Sequence, residues 1–316
     1  MPKPIAFRPS KEQQDLFPDI SGNTINGLGE QAPRRPTPVY WHSPKRIAHG
    51  ALQAWMLKQT QKHVPEVMAL DRTLGGRGPG ERAARATQLV ERSPEDWRAT
   101  VEDFALAHEA DMVGVTALRQ DWVFEGYEAD QPWIIVLAVA MDHGQLVTAP
   151  EPPSVIEVMH QYNRGTRASR TLADWIMGQG YDAIPHGGPQ AGPMLLIPPA
   201  LECGFGELGK HGSLINRRYG SSFRLAGVLT DLPLTADNPD SFGADEFCRH
   251  CRLCREACPS NAIFGNKQWV RGAEKWYVDF DKCIGYFNET NGCGICIAEC
   301  PWSRPGVAPR LAEKLG

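Results

Sequence analysis

Residues 248–259 read CRHCRLCREACP, and residues 283–301 read CIGYFNETNGCGICIAECP. These two runs hold all but one of the chain's 9 cysteines. Cys248, Cys251, Cys254 and Cys258 have the C-x2-C-x2-C-x3-C-P spacing of a bacterial ferredoxin half-site. Cys283, Cys293, Cys296 and Cys300 keep C-x2-C-x3-C-P, but the leading cysteine is displaced upstream, giving C-x9-C-x2-C-x3-C-P. Thiolates two apart in a tight turn reach different irons of one cubane. The last cysteine of each run, followed by proline, serves the other cluster. The spacing therefore assigns cluster 1 to Cys248, Cys251, Cys254 and Cys300, and cluster 2 to Cys283, Cys293, Cys296 and Cys258.

Paired C-x2-C units also make zinc sites, but a repeated run ending in Cys-Pro suits two [4Fe-4S] cubanes better. Structural disulfides fit less well still, with no secretory signal and the cysteines crowded together. Electron transfer is the first functional conclusion.

Working outward, 316 residues and 42% hydrophobic content allow a sizeable core. A net charge of −4 does not suit a dedicated nucleic-acid surface. No apolar run reaches the length of a membrane span. Arg34-Arg35 lies among prolines with no apolar stretch after it, so it does not read as an export signal. Reduced thiols without such a signal lead us to expect a cytoplasmic protein.

Residues 1–46, rich in proline, glycine and polar side chains, read as an extended N-terminal arm or a partly ordered tail. Residues 47–70 have helical apolar spacing until Pro65. GGRGPGERAARA (75–86) reads as a loop feeding a short helix. Ser93 followed by Pro94 marks a helix start, with the helix running to about Glu109. Met112–Leu118 reads as a strand. Trp133–Met141 reads as a strand covered on both faces. Ser154–Gly178 is a long helix carrying Val155, Val158, Tyr162, Leu172 and Ile176 at helical spacing. Met194–Pro198 is a short apolar segment. A glycine-rich turn, GFGELGKHG (204–212), precedes a strand at Arg224–Leu234, and residues 306–316 form a tail. The organisation is an α+β chain of layered α/β character: a larger domain at 47–240 and a small ferredoxin-like module at 241–305.

Two cubanes carry electrons but define no substrate, and the upstream domain is large enough for a further cofactor. There is no GxGxxG after a strand, no P-loop, and no D-x-H-x-x-G stretch. The 9 histidines form no metal-spaced pair.

Several stretches together resemble the cobalamin-dependent reductive dehalogenases and, more distantly, epoxyqueuosine reductase. They are HEADMVGVTALRQDWVF (108–124), LADWIMGQGYDAIPHGG (172–188), ECGFGELGKHGSLINRRYGSSFRLAGVLTDLPL (202–234) and KWYVDFDKC (275–283). The displaced second cysteine run favours the dehalogenase side. The resemblance implies a nitroreductase-like domain and a base-off corrinoid between that domain and the cluster module. It also implies reductive cleavage of a carbon–halogen bond, a proton replacing halide.

In that family a tyrosine, assisted by a basic side chain, donates the proton. The positions that carry over are Tyr162 and Arg224, with Lys210 as a second cationic candidate. A cation beside a phenol stabilises phenolate and eases proton delivery near neutral pH. Gly206, Gly209 and Gly212 are expected to hold the cofactor. His186 or Gln190 stands where the family has an asparagine-bearing pocket segment, and Trp122, Tyr127, Trp175 and Trp276 are candidate pocket walls. Electrons would come from a ferredoxin, a flavodoxin or a reductase, and the substrate would be a small organohalide.

Two alternatives remain at this point. A tRNA-modifying epoxyqueuosine reductase uses an aspartate just before its glycine turn, whereas PHGGPQAGPMLLIPP (185–199) contains no acid, Asp182 lying outside it. A non-catalytic two-cluster electron carrier is the other. Cys203, apart from both runs, reads as a buried structural thiol. Cys203→Ser is therefore expected to leave iron content unchanged in anaerobically reconstituted protein, whereas Cys258→Ser or Cys300→Ser lowers it.

Overall fold

The computed structural model describes residues 7–73, 83–188 and 192–315. The arm contains α1 (Lys11–Gln14) and α2 (Gly22–Asn26), each started by a serine, Ser10 or Ser21, whose hydroxyl accepts first-turn N–H groups. A 3-10 turn at Pro44–Arg46 leads into α3 (Gly50–His63). Val64 precedes a proline and leaves helical geometry, and the chain restarts as α4 (Pro65–Thr73). The arm ties distant parts together. Gly22 N–H donates to Asp281 Oδ1 at 2.8 Å, and Arg35 Nε donates to the Val123 carbonyl at 3.0 Å.

α5 (Pro94–Ala107) starts where the sequence indicates, with Ser93 Oγ accepting from Asp96 N–H at 3.1 Å. Then follow β1 (Met112–Ala117), β2 (Trp133–Ala140), α6 (His143–Leu146) and α7 (Pro152–Gly178). After them come β3 (Ala183–His186), α8 (Ile197–Glu202), the short β4 (Glu207–Leu208) and β5 (Leu214–Ile215), and β6 (Phe223–Thr230). The main sheet has the order β1-β2-β6-β3, with every neighbour antiparallel. The fold is mixed α+β.

β2 is covered on both faces, as its unbroken apolar run indicates. Ile135 and Leu137 pack with Leu172 and Ile176 of α7 and Trp97 of α5. Ile134, Val136 and Ala138 pack on the other face with Ala200 of α8, Phe205 and Leu214. Each fully buried Ile or Leu contributes about 2 kcal/mol, so β2 is the spine of the domain.

Three expectations change. No helix follows GGRGPGERAARA among its described residues. Instead Ala86 N–H donates to the Met177 carbonyl at 2.9 Å and Val90 N–H to the Gln179 carbonyl at 3.0 Å, holding this stretch extended along the end of α7. The β6 strand stops at Thr230 rather than at Leu234, because Thr230 Oγ1 accepts the Leu232 N–H and turns the chain. The expected tail at 306–316 is, in its described residues, largely a helix, α13 (Val307–Leu315), which buries Ala308 and Ala312 against Trp302 and Phe242.

The module begins with α9 (Ala244–His250) and α10 (Leu253–Ala257). The hairpin β7 (Gln268–Val270) and β8 (Ala273–Lys275) leads to α11 (Phe280–Glu289), α12 (Ile295–Ala298) and α13 (Val307–Leu315). It is pressed onto the main sheet just before β6. Gly220 has φ +56°, and a Cβ there would lie 1.9 Å from the Trp302 carbonyl oxygen. Ser222 Oγ donates to the Ser303 carbonyl at 3.4 Å. Gly220→Ala is expected to lower stability by about 2 kcal/mol or more, from backbone strain plus overpacking. The check is the urea midpoint, and an unchanged midpoint would show that the seam yields.

Candidate functional site

The eight C-terminal thiols form two sets. Burial pushes the Cys248 thiol up to about 12, and the thiols of Cys300, Cys254 and Cys251 act on it in the same direction. Burial likewise raises Cys254 to about 12, with Cys300 and Cys251 adding to the rise. In the other set, burial raises Cys283 to about 12, with contributions from Cys293 and Cys258. Cys296 is raised by burial and then by Cys283, Cys293, Cys254 and Cys258. The structure thus gathers Cys248, Cys251, Cys254 with Cys300, and Cys283, Cys293, Cys296 with Cys258. Among the described residues no three His, Cys, Asp or Glu side chains are placed as ligands of a single ion. A cubane, with its iron–sulfide cage between the thiolates, asks for a wider ring than zinc at about 2.3 Å from each sulfur. Loading either set requires thiol protons to leave.

The second set borders a cavity of about 740 Å³ between the module and the sheet domain, lined also by His211, Gly212, Ser213, Arg224 and Lys275. A neighbouring cavity of about 530 Å³ is bounded by Tyr40, Trp41, Tyr162, His186, Arg224 and Cys283. A third, of about 280 Å³, is bounded by Trp41, Met56, Met159, Tyr162, Arg224 and Cys293. Arg224 lines all three cavities, and Tyr162 lines two.

Helix and strand geometry bring this pair together. Arg224, Ala226 and Val228 alternate on one face of β6, the face covered by α7. One turn beyond Tyr162, a Cβ on Gly165 would lie 3.3 Å from Ala226 Cβ, so α7 approaches β6 closely there. The Arg224 guanidinium carbon is 5.6 Å from the Tyr162 ring centroid. Arg224 Nε is buried without a hydrogen-bond partner. Among the described residues no carboxylate pairs with this arginine, and the Tyr162 hydroxyl makes no hydrogen bond. A structural arginine paired to an acid is thereby set aside.

Lys210 goes elsewhere. It is 2% exposed and lines none of the three cavities; its Nζ donates to the carbonyl of Cys251 at 2.8 Å. Gly206 and Gly209 also line none of them, for they let the chain pass close to Ile215 and His211. Gly212 lines the largest cavity. His186, at the end of β3, lines the cavity of about 530 Å³ with Nε2 unpartnered, and burial lowers its pKa to about 4, so the ring is neutral. Gln190 lies outside the described residues. Trp122 and Tyr127 belong to the core under the sheet, and Trp175 stacks on Phe104 with centroids 4.6 Å apart. Trp276 does line the largest cavity. Cys203 is buried in the sheet core, where burial raises its thiol. Asp182 accepts from Gln131 at 3.1 Å, away from the cavities.

Several residues emerge only in three dimensions. Tyr40 and Trp41 come from the arm, and no local pattern marks them. His211, neutral because burial lowers its pKa to about 4, sits in GKHG between two motif glycines. Arg271 and Lys275, on the β7–β8 hairpin, place cations at one end of the largest cavity. Burial, and then the charge of Arg271, lowers Lys275 from 10.5 to about 8.

Residues 247–303 match the family described as 4Fe-4S dicluster domain. The tetrachloroethene reductive dehalogenase of Sulfurospirillum multivorans is 29% identical over 247 residues, covering 63% of this chain and 48% of that protein. That of Desulfitobacterium hafniense is 32% identical over 209 residues, 61% of this chain and 37% of that protein. The chain thus spans less than half the length of these two relatives. The epoxyqueuosine reductase of Synechococcus sp. (strain RCC307) is 28% identical, covering 60% of this chain and 70% of that protein. The solved structure of the catabolic reductive dehalogenase NpRdhA superposes with a TM-score of 0.74, covering 98% of this chain and 44% of that one. At 24% identity that likeness is one of fold. Taken with the two thiol sets, these findings show that the chain is similar to the reductive dehalogenases, which are oxidoreductases, and more distantly to the epoxyqueuosine reductases.

Proposed function

We propose that this chain is a corrinoid- and iron–sulfur-dependent reductase that replaces halide by a proton on a small organohalide. The observation that carries the reading is the unpaired Arg224 beside Tyr162, at the meeting point of three cavities that also expose Cys283 and Cys293. Arg224 is partly buried with its Nε unpartnered; a cation drawn from water without a counter-charge is costly, and such cost is retained where charge develops during a reaction.

The residues present fit both kinds of cofactor. Two sets of four thiols suit two [4Fe-4S] clusters. The cavity of about 740 Å³ offers the corrinoid an apolar bed, with Ser213 and Gly212 on one side and Arg271 and Lys275 at one end for the phosphate of its nucleotide tail. The sheet domain is read as the nitroreductase-like part that holds it base-off. A solved relative at 24% identity carries the description of B12-dependent dehalogenation. When bound, the corrinoid supplies a cobalt centre for reductive carbon–halogen cleavage.

The chain's own residues do the rest. Tyr162 holds a proton on its hydroxyl at the cavity wall. Arg224 keeps that phenol oriented and offers positive charge where halide or phenolate charge appears. Trp41, Phe287 and Met159 exclude water from the pocket around Tyr162. Cys283 and Cys293 place the second cluster site beside the same space. An external ferredoxin, flavodoxin or reductase would supply the electrons. Another solved relative is described in complex with 3-bromo-4-hydroxybenzoic acid, and a halogenated phenol is a suitable first probe.

The epoxyqueuosine reductases cover more of their own length than the dehalogenases do, which favours them as a second reading. Against it, residues 185–199 carry no acid. The two are separated by assaying halide release from halogenated phenols and alkenes against queuosine formation on tRNA, with halide release expected. Tyr162→Phe is expected to reduce halide release by roughly 10²–10⁴-fold while corrinoid and iron content hold. Undiminished turnover would remove Tyr162 as the proton donor.

A pH dependence also follows. Lys275 loses its charge as pH rises through about 8, well below the ordinary lysine range. Corrinoid affinity is therefore expected to weaken roughly tenfold between pH 7 and 9, and Lys275→Met is expected to flatten the profile. A flat wild-type profile would mean that Lys275 does not face the phosphate.

A further inference from the structure

The glycine-rich segment between α8 and β6 grips α9 at both ends. At the start of the helix, Glu207 accepts the N–H groups of Phe242 at 2.9 Å and Ala244 at 2.8 Å. At its end, Lys210 Nζ donates to the carbonyls of Cys251 at 2.8 Å and Arg249 at 3.4 Å. The Lys210 backbone N–H points at Cys248 Sγ, 3.5 Å away. One lysine thus meets two residues of the first thiol set, the Cys248 sulfur through its main chain and the Cys251 backbone carbonyl through its side chain.

Its surroundings are unusual for a lysine. The residue is 2% exposed, and its ammonium lies 4.9 Å from the Trp276 ring centroid. The nearby acid, Asp245, is taken by Lys267 at 2.7 Å and by Trp276 Nε1 at 2.7 Å. Among the described residues Lys210 has no carboxylate partner. An ammonium this deeply buried costs several kcal/mol unless an anion faces it, and two carbonyl oxygens supply only partial charge. Four thiolates holding a cluster are the anion the geometry offers. The second set differs: the groups acting on Cys283, Cys293 and Cys296 include no lysine or arginine.

We propose that Lys210 is the fixed counter-charge of the first cluster site, a positioning residue that raises the reduction potential there relative to the second site. The inference rests on the two-cluster reading above. Reduction adds one negative charge to a site that is already anionic. A buried cation and an N–H donor to sulfur both favour the reduced form, since net charge and hydrogen bonds to the sulfurs set such potentials. The second site meets Arg224, Arg271 and Lys275 only as walls of the shared cavity, and among the described residues no lysine hydrogen-bonds to its cysteines as Lys210 does to Cys251, so electrons held at equilibrium favour the first.

The bland alternative is that Lys210 merely caps α9 through its hydrogen bonds. Lys210→Gln separates the two roles, because an amide still donates toward the Cys251 carbonyl but carries no charge. The experiment is an EPR-monitored redox titration of the cluster-loaded full chain and of Lys210→Gln, Lys210→Met and Lys210→Arg, with iron content measured on each. Cys251→Ser, which perturbs or removes the first cluster's signal, identifies its wave. In Lys210→Gln and Lys210→Met the first wave is expected to move to lower potential by at least a tenfold change in the oxidised-to-reduced ratio, 59 mV for one electron. The second wave is expected to stay, and Lys210→Arg to keep the wild-type position. An unmoved first wave in Lys210→Gln overturns the proposal, as does an equal shift of both waves. Loss of the first cluster from both neutral variants, with Lys210→Arg retaining it, would make Lys210 a structural pin and also overturn it. Wild-type protein that binds no cubanes removes the two-cluster reading itself, an outcome told apart by its iron content.

Discussion

Cys300 lies at the end of the second cysteine run, yet its thiol sits with Cys248, Cys251 and Cys254 of the first. Cys258 makes the reverse exchange with Cys283 and Cys293. This crossing is the constraint on which the rest depends, because neither thiol set is complete until both runs have folded together. The turn that follows Cys300 carries the crossing into the other domain. Trp302 and Ser303 meet Gly220 and Ser222, immediately before the strand that holds Arg224. The positions of the thiols and of the arginine are thus set by one seam.

The other side of the seam is set by packing. β2 is covered on both faces, α7 lies close on β6 at Gly165, and the apolar stripe of α7 continues past the sheet core to Tyr162. The same helix that fills the core therefore delivers the phenol to the cavity wall. The arm closes the opposite wall with Tyr40 and Trp41, anchored by Tyr40 Oη donating to Asn288 at 2.8 Å on α11.

How much of this was legible in sequence follows from the range of the interactions. Periodicity marked β2 and α7, and Ser93-Pro94 marked α5, because those signals are local. The cysteine runs marked the module through their spacing. The short helix expected after the loop in GGRGPGERAARA does not form, because residues 86–90 are drawn out by hydrogen bonds to the end of α7, a contact no local pattern encodes. β3 (AIPH) is too short to signal, and exists because it pairs with β6. α13 was missed although Ala308, Leu311 and Ala312 have helical spacing, since the stripe is short and only Trp302 and Phe242 give it something to cover. At the site, resemblance pointed to Tyr162 and Arg224, and the structure brings them together. It could not reveal that Lys210, three residues from Glu207, turns toward the thiols instead of the cavity.

The central claim is that the two thiol sets serve a corrinoid held in the cavity beside them. Metal analysis of the full chain, purified and reconstituted anaerobically with iron, sulfide and cobalamin, tests it most directly. The account predicts about eight irons together with one tightly held cobalt per chain. About eight irons with no retained cobalt would contradict it, leaving a two-cluster electron carrier in its place.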